Sequence, residues 1–435
     1  MLPLLSLLIS LVTLVVARSS TGTDVLVIVS AEEQKDYTLF FEDLEGRGYD
    51  LFFREPKAEK PVLLDADVPQ FHHVLMLASD TKAFASDITP QNIVELLTKN
   101  VNVVVALSPK QNLFYTLAPE FGLVPPPPGT PLISYFPERT DPPTVLPVHV
   151  APGPIVTPNT PPVWFSGIPF SVGNSPLLVP ILNAPSESFA SDSDSTTESI
   201  VESVEKGGEG LWAGSSLGLV TGFQVTDGGR ALFLGGGAIL SDAFANKALP
   251  DGSSSGNKQI AHDVSAWAFQ ESLVLRIDET SHHVVNATEP KEYYTTNDQV
   301  VYTTKISRWN AKENEWEPHT GVDDLQLEFT MLDPHVRTGI PEDLARPGTY
   351  SVTFRAPDRH GVFKFIVDYR RKGWTHLKSA ITVPVVPPRH DGYPRFLSAA
   401  WPYYAGAVST SVGFVLFAAL YLAGETKEAG KKKKE

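Results

Sequence analysis

The sequence predicts an α/β domain followed by a β-sandwich and one transmembrane helix, and three observations carry that prediction. Up to Leu107, apolar runs of strand length alternate with stretches of helical period. Beyond about Leu273 the helical period disappears, and short runs of alternating polarity follow one another between turn residues. Phe396 to Gly424 contains no charged residue, and its part from Ala405 to Leu422 is rich in Ala, Val, Phe and Leu. A helix of about 20 such residues crosses the ~30 Å of bilayer hydrocarbon.

The alternation starts with Val25, Leu26, Val27, Ile28 and Val29, an apolar run within Asp24 to Ser30 that suits a strand buried on both faces. Tyr37, Phe40, Phe41 and Leu44 recur at helical spacing, and Gly46 and Gly48 end that helix. Tyr49 to Arg54, Phe71 to Ala78 and Val101 to Leu107 read as the next strands. Pro90 to Lys99 is a helix with proline at its start, where a missing N–H costs least. This is the pattern of an open parallel sheet with helical layers. Leu217 to Phe223 and Ala231 to Leu234 continue as strands, and His262 to Phe269 as a short helix closes an α/β domain over 18–270.

Two softer segments interrupt this domain. Prolines crowd 125–162, including Pro125 to Pro128, Pro142-Pro143 and Pro161-Pro162, which predicts a loose, extended connection. Residues 186–209 are serine-rich and acidic, as in Ser191-Asp192-Ser193-Asp194-Ser195, and predict a surface loop. From 271 to 390 the strands are Gln299 to Ile306, Leu325 to Leu332, Thr349 to Phe354, Gly361 to Tyr369 and Thr375 to Val383. In the fourth, Phe363, Phe365, Val367 and Tyr369 share one face, the period of a half-buried strand. Pro347-Gly348, Asp358 to Gly361 and Lys372-Gly373 supply the turns of a sandwich.

Residues 1–17 read as a signal peptide, an apolar run without acidic residues, cleaved after Ala17. The transmembrane helix is placed at 403–423, with Trp401, Tyr403 and Tyr404 at the headgroup level and Pro402 in its first turn. Lys427 and the run Lys431 to Lys434 outweigh Arg389 and Arg395, which assigns the tail, 424–435, to the cytosol and the bulk to the lumen of the endoplasmic reticulum. Within the tail, Lys432 and Lys433 match the dilysine spacing that coat proteins read as a retrieval address. The plainer alternative is a basic cluster that stops transfer and touches anionic lipid. Ala405, Ser409 and Gly413 recur every four residues, a small-residue face that permits close helix packing. The one acceptor sequence for N-linked glycan is Asn286-Ala287-Thr288.

Composition removes several chemistries. A net charge of -15 argues against nucleic acid as a partner. With no cysteine, the chain has no thiol nucleophile, disulfide or thiolate metal ligand. Gly214-Ser215-Ser216-Leu217-Gly218 matches G-x-S-x-G, yet Leu219 to Phe223 after it reads as a strand where a nucleophile elbow needs a helix. Gly235-Gly236-Gly237 lacks the Lys-Ser/Thr of a phosphate loop and reads as close packing or a turn. The pairs His72-His73 and His282-His283 point to opposite faces of strands, and Asp323-Asp324 reads as a strand-end feature. No catalytic, cofactor or metal residues are assigned.

Several ordered segments then resemble the 48 kDa subunit family of dolichyl-diphosphooligosaccharide-protein glycosyltransferase, in its fungal form. They are Leu39-Phe40-Phe41, Arg47-Gly48-Tyr49, Ser281-His282-His283, Asp324 to Phe329, Leu332-Asp333-Pro334, Gly361 to Phe365, Val367-Asp368-Tyr369, Gly373 to Leu377 and Pro402-Tyr403-Tyr404-Ala405. The resemblance implies an amidotransferase-like, Rossmann-like α/β domain without thiol chemistry. It implies a non-catalytic subunit in the transfer of a preassembled glycan from dolichyl diphosphate to Asn of Asn-X-Ser/Thr. Its implied partners are a catalytic multispanning subunit, ribophorin-type subunits and a small membrane subunit. The competing class is a free-standing luminal glycan-binding protein or cargo receptor.

Overall fold

The structure, a computed structural model, describes residues 18–110, 112–191, 212–392 and 398–431. The signal-peptide assignment (1–17), Lys432 and Lys433, and positions 192–209 of the serine-rich segment lie outside these residues.

The chain opens as α/β. Strand Asp24–Ile28, buried at four of its five positions, leads through helix Thr38–Gly46 to strand Asp50–Arg54. Strand His73–Met76 follows, then helix Pro90–Thr98, whose Thr89 side chain accepts the Asn92 N–H as an N-cap, and strand Asn102–Ala106. These four strands run parallel in the order Asp50–Arg54, Asp24–Ile28, His73–Met76, Asn102–Ala106 and are joined by Arg230–Leu234, also parallel. The order reverses between the first strand and His73–Met76, a topological switch point.

The sheet is not parallel throughout. Leu217–Gln224 lies antiparallel to Arg230–Leu234, and Phe170–Val172, Leu123–Val124 and Leu178–Asn183 extend this antiparallel half. A tight turn at Asp227-Gly228-Gly229 explains the switch, since a hairpin can only be antiparallel. Two apolar clusters pack the two faces; one contains Phe40, Phe41 and Trp267, the other Ile93, Phe114 and Phe233.

The proline-rich stretch is extended, as expected, but it is not loose. It contains strands Leu132–Ile133 and Leu146–Val148, the latter paired with Val163–Phe165, and Leu132, Leu146 and Val163 are fully buried. Proline there favours extended backbone, and the apolar residues between the prolines supply the packing.

After helix Asn257–Ala268 the chain forms strands as far as Val386, and short 3-10 turns at His390–Gly392 and Ser398–Ala400 precede the final helix. One sheet pairs Gln299–Asn310 with Leu275–Val284, Glu315–Pro318 and Thr349–Arg355. The other orders Tyr294–Thr295, Leu377–Val386, Gly361–Tyr369, Gln326–Thr330 and Pro334–Gly339. Their inner faces meet in one aromatic core, with the Tyr302 ring stacked 5.3 Å from Phe365 and Phe354 against Phe329 at the same distance. The last helix runs from Trp401 to Lys431, and the helical segment Ser398–Ala423, which takes in its first part, is long and apolar enough to cross a membrane.

Candidate functional site

In open α/β sheets ligands bind outside the carboxyl ends of the strands, at the switch point. Here those ends carry Ser30, Asp80, Ser108 and Lys110, with Tyr37 beneath. Ser108 Oγ donates to Asp80 at 2.6 Å, and Lys110 Nζ donates to the other Asp80 oxygen at 2.6 Å. Burial opposes the Asp80 charge, but the Lys110 and Ser108 hydrogen bonds outweigh it and hold the carboxyl below its usual range. Asp80 in turn holds Lys110 protonated, through that hydrogen bond and its charge. Ser108 therefore faces an ion pair and no neutral base, which is not the arrangement that activates a hydroxyl nucleophile. Burial, followed by the charges of Glu33, Asp36 and Asp80, pushes the Tyr37 hydroxyl up, so it stays neutral.

The glycines at the same edge are consumed by packing. A Cβ on Gly235 would fall 2.1 Å from the Ile168 carbonyl oxygen and one on Gly236 2.1 Å from that of Ser166. Gly237 approaches the Tyr37 hydroxyl in the same way, at 2.7 Å. The chain's own backbone thus covers the strand ends a phosphate would need. Ser216 lies in a turn that opens directly into strand Leu217–Gln224, so no helix stands behind it.

A cleft of about 1040 Å³ runs along the packed proline-rich stretch. Pro147, Pro154, Ile155, Val179 and Ile181 form apolar walls, and Lys372 reaches it from the sandwich. This size and lining suit a ligand site, and His149, Glu187 and Asp251 stand on its walls beside the apolar residues.

One histidine of each pair is packed into the fold. Burial lowers the pKa of His73 to about 3, and the neutral ring bonds the Gly22 carbonyl and the Asn102 amide. His282 bonds the Tyr294 hydroxyl at 2.7 Å and stacks on Phe365. Asp324 pairs with Arg371 at the surface. Among the described residues no cluster of His, Asp and Glu is placed to hold a metal.

Two family descriptions match almost end to end: OST48, N-terminal domain over residues 16–271, and OST48 middle domain over residues 282–425. The chain belongs to the OST48 family. Relatives agree at near full length, each bearing the name dolichyl-diphosphooligosaccharide--protein glycosyltransferase 48 kDa subunit. The one from Danio rerio is 31% identical, covering 94% of this chain and 93% of the relative. That from Caenorhabditis elegans is 32% identical over 93% and 92%, and that from Arabidopsis thaliana 26% over 97% and 96%.

The segments that carry the OST48 resemblance fall on the scaffold of this fold. Arg47 and Tyr49 both bond the buried Glu271 carboxylate at 2.7 Å, tying the first helix to the end of Asn257–Ala268. Trp374 and Thr375 lie where the sandwich meets the α/β part, beside the Trp267 Nε1 to Gly373 carbonyl bond of 2.8 Å. Asn286 stands exposed in a turn after Leu275–Val284, with φ +72° and Thr288 also exposed. Ala405, Ser409 and Gly413 face outward on the final helix, and the Ser409 hydroxyl is satisfied by the Gly406 carbonyl at 2.9 Å. Sequence reasoning missed the buried ions Arg47, Arg230 and Glu271, because isolated charged residues beside apolar runs look solvated until their partners are known.

Proposed function

We infer that this chain is a non-catalytic subunit of an oligosaccharyltransferase that transfers glycan from dolichyl diphosphate to asparagine during protein N-glycosylation. The observation that carries the reading is near-full-length similarity to relatives named as its 48 kDa subunit. The Ser108–Asp80–Lys110 ion pair at the sheet's carboxyl edge supports assigning the chemistry to another, multispanning subunit. The other partners are ribophorin-type subunits and a small membrane subunit, reached partly through the face of Ala405, Ser409 and Gly413.

In this reading the chain is a single-pass type I protein of the endoplasmic reticulum with its folded bulk luminal, Asn286 carries a glycan, and Lys432 and Lys433 form an address read by coat proteins. Similarity along the whole length to a named complex subunit favours this over a free-standing cargo receptor. The test is depletion of the protein with mass-spectrometric scoring of sequon occupancy across secreted glycoproteins. Many unrelated sequons lose occupancy together if a shared transferase is disabled. Normal occupancy with a defect in one cargo replaces the assignment by the receptor.

A further inference from the structure

We propose that the end of the β-sandwich from which the chain leaves for its final helix rests on the bilayer surface, with its loop tips in the headgroup layer. The proposal depends on reading Trp401–Lys431 as a membrane anchor.

Strand register defines this end. Tyr294–Thr295 pairs with Val385 and Val386, and Gly361 and Val362 pair with Val385 and Pro384. Met331 packs onto Gly361, where an added Cβ would meet its Sδ at 2.6 Å. The Ala356 N–H donates to the Asp298 carbonyl. The turns at 331–333 and 356–361, the 293–298 segment and the exit at Val386 therefore share one end. The opposite end holds the α/β part, through the Thr375 N–H to Leu273 carbonyl bond and the Trp267 bond to Gly373.

Three large apolar side chains stand in solvent at the exit end: Leu332 is 92% exposed, Val362 58% and Tyr293 41%. Single exposed apolar residues are ordinary; these crown neighbouring turns on one end. Beside them a cleft of about 570 Å³ is lined by Tyr293, Pro387, Pro388, Arg389 and His390. Tyrosine and arginine are the side chains that place an apolar body in the interface and a polar tip at headgroup level. The fifteen residues from Pro387 to Trp401 reach at most ~50 Å even when fully extended, so this end stays close to the bilayer that holds the helix.

Lys291, Arg359 and Arg389 are outnumbered there by Glu292, Asp298, Asp333, Asp358 and Asp391, so the surface is not built for an anionic lipid and suits a zwitterionic one. Asn286 follows the edge strand of the other sheet at this same end, where the Val285 N–H donates to the Gln299 carbonyl.

The absence of cysteine makes the test direct. Leu332→Cys, Val362→Cys and Leu344→Cys each accept one fluorophore. Leu344, 93% exposed, serves as the control because its loop lies at the far end, where the Asp343 N–H donates to the Thr349 carbonyl. The full chain is reconstituted into phosphatidylcholine vesicles with and without lipid bearing a headgroup-level quencher. We expect about a two-fold loss of emission at 332 and 362 and none at 344. Equal emission at all three sites overturns the proposal, as does a label at 332 that is shielded from water yet unquenched in the assembled complex, since a protein then covers this end. Alkaline carbonate extraction separates the two readings. Release of the chain overturns the anchor and the docking together; retention with unquenched labels overturns the docking alone.

Discussion

Arg230 is 1% exposed and is held by carbonyls, those of Trp267, Ser272 and Leu273 at 2.7 to 2.9 Å, while its guanidinium lies 4.9 Å from the Trp267 ring. Burial lowers its pKa to about 9, which leaves it charged at neutral pH. It joins the sheet to the first residues of the sandwich, with a further bond to Thr375. Arg230→Met leaves several buried carbonyls unpaired and is expected to cost about 3–5 kcal/mol, read as a lower thermal midpoint of the purified chain. His73 gives a pH dependence of defined sign. Its folded pKa of about 3 lies below the ordinary histidine value of 6.5, so protons bind the unfolded chain first as pH falls. Its contribution is complete above pH 6.5 and is lost progressively down to about pH 3, at no more than ~1.4 kcal/mol per pH unit. His73→Gln is expected to flatten the melting profile between pH 6.5 and 5, a range in which the carboxylates contribute little. At the surface, exposure of Asn286 and Thr288 predicts that endoglycosidase H shifts the protein's electrophoretic band and that Asn286→Gln abolishes the shift. Asn286 was legible from three letters of sequence. Arg230 was not, because nothing in the chain near it announces the carbonyls that meet it from residues 267 to 273.

At the scale of elements, the strands read most easily were those buried on both faces or strictly alternating. Asp24–Ile28, Asn102–Ala106 and Gly361–Tyr369 fall within a residue or two of their expected ranges. Leu178–Asn183 escaped notice because Pro180 sits within it and a bulge follows, both features of an edge strand. Leu275–Val284 was read only at its His282-His283 end, because its half-exposed edge position allows charged residues, Arg276, Asp278 and Glu279, that mask any apolar period. The carboxyl edge of the sheet was readable only as glycines and a serine; its closure by Ser166–Ile168 depends on a contact some seventy residues distant. In the final helix no atom lies within 4 Å of a Cβ added at Gly413. Gly413→Leu therefore leaves this chain undisturbed, and any effect must come from a neighbouring helix. We expect it to lower co-purification with the other subunits while the fold of the α/β part and sandwich, followed by circular dichroism, is unchanged. Equal recovery of partners would assign that face to lipid.

At the scale of the whole molecule, the succession of α/β layer, sandwich and apolar helix was legible because each has its own period. The mixed sense of the large sheet was not, since pairing sense depends on crossovers that no local pattern records. What the sequence concealed most fully is the polarity of the sandwich, with the α/β part bonded at Thr375 and Gly373 and the exit at Val386 on the opposite end. Gly361–Tyr369 runs most of that distance in nine residues, ~30 Å at 3.3 Å per residue. The sandwich is thus a measuring rod. With the exit end docked on the bilayer as proposed above, a polypeptide emerging from the membrane beside it, also extended, has to thread roughly nine residues past the rod before it can touch the α/β part. On that orientation, the residues of such a chain that reach the α/β part have already left the bilayer surface by the length of the rod.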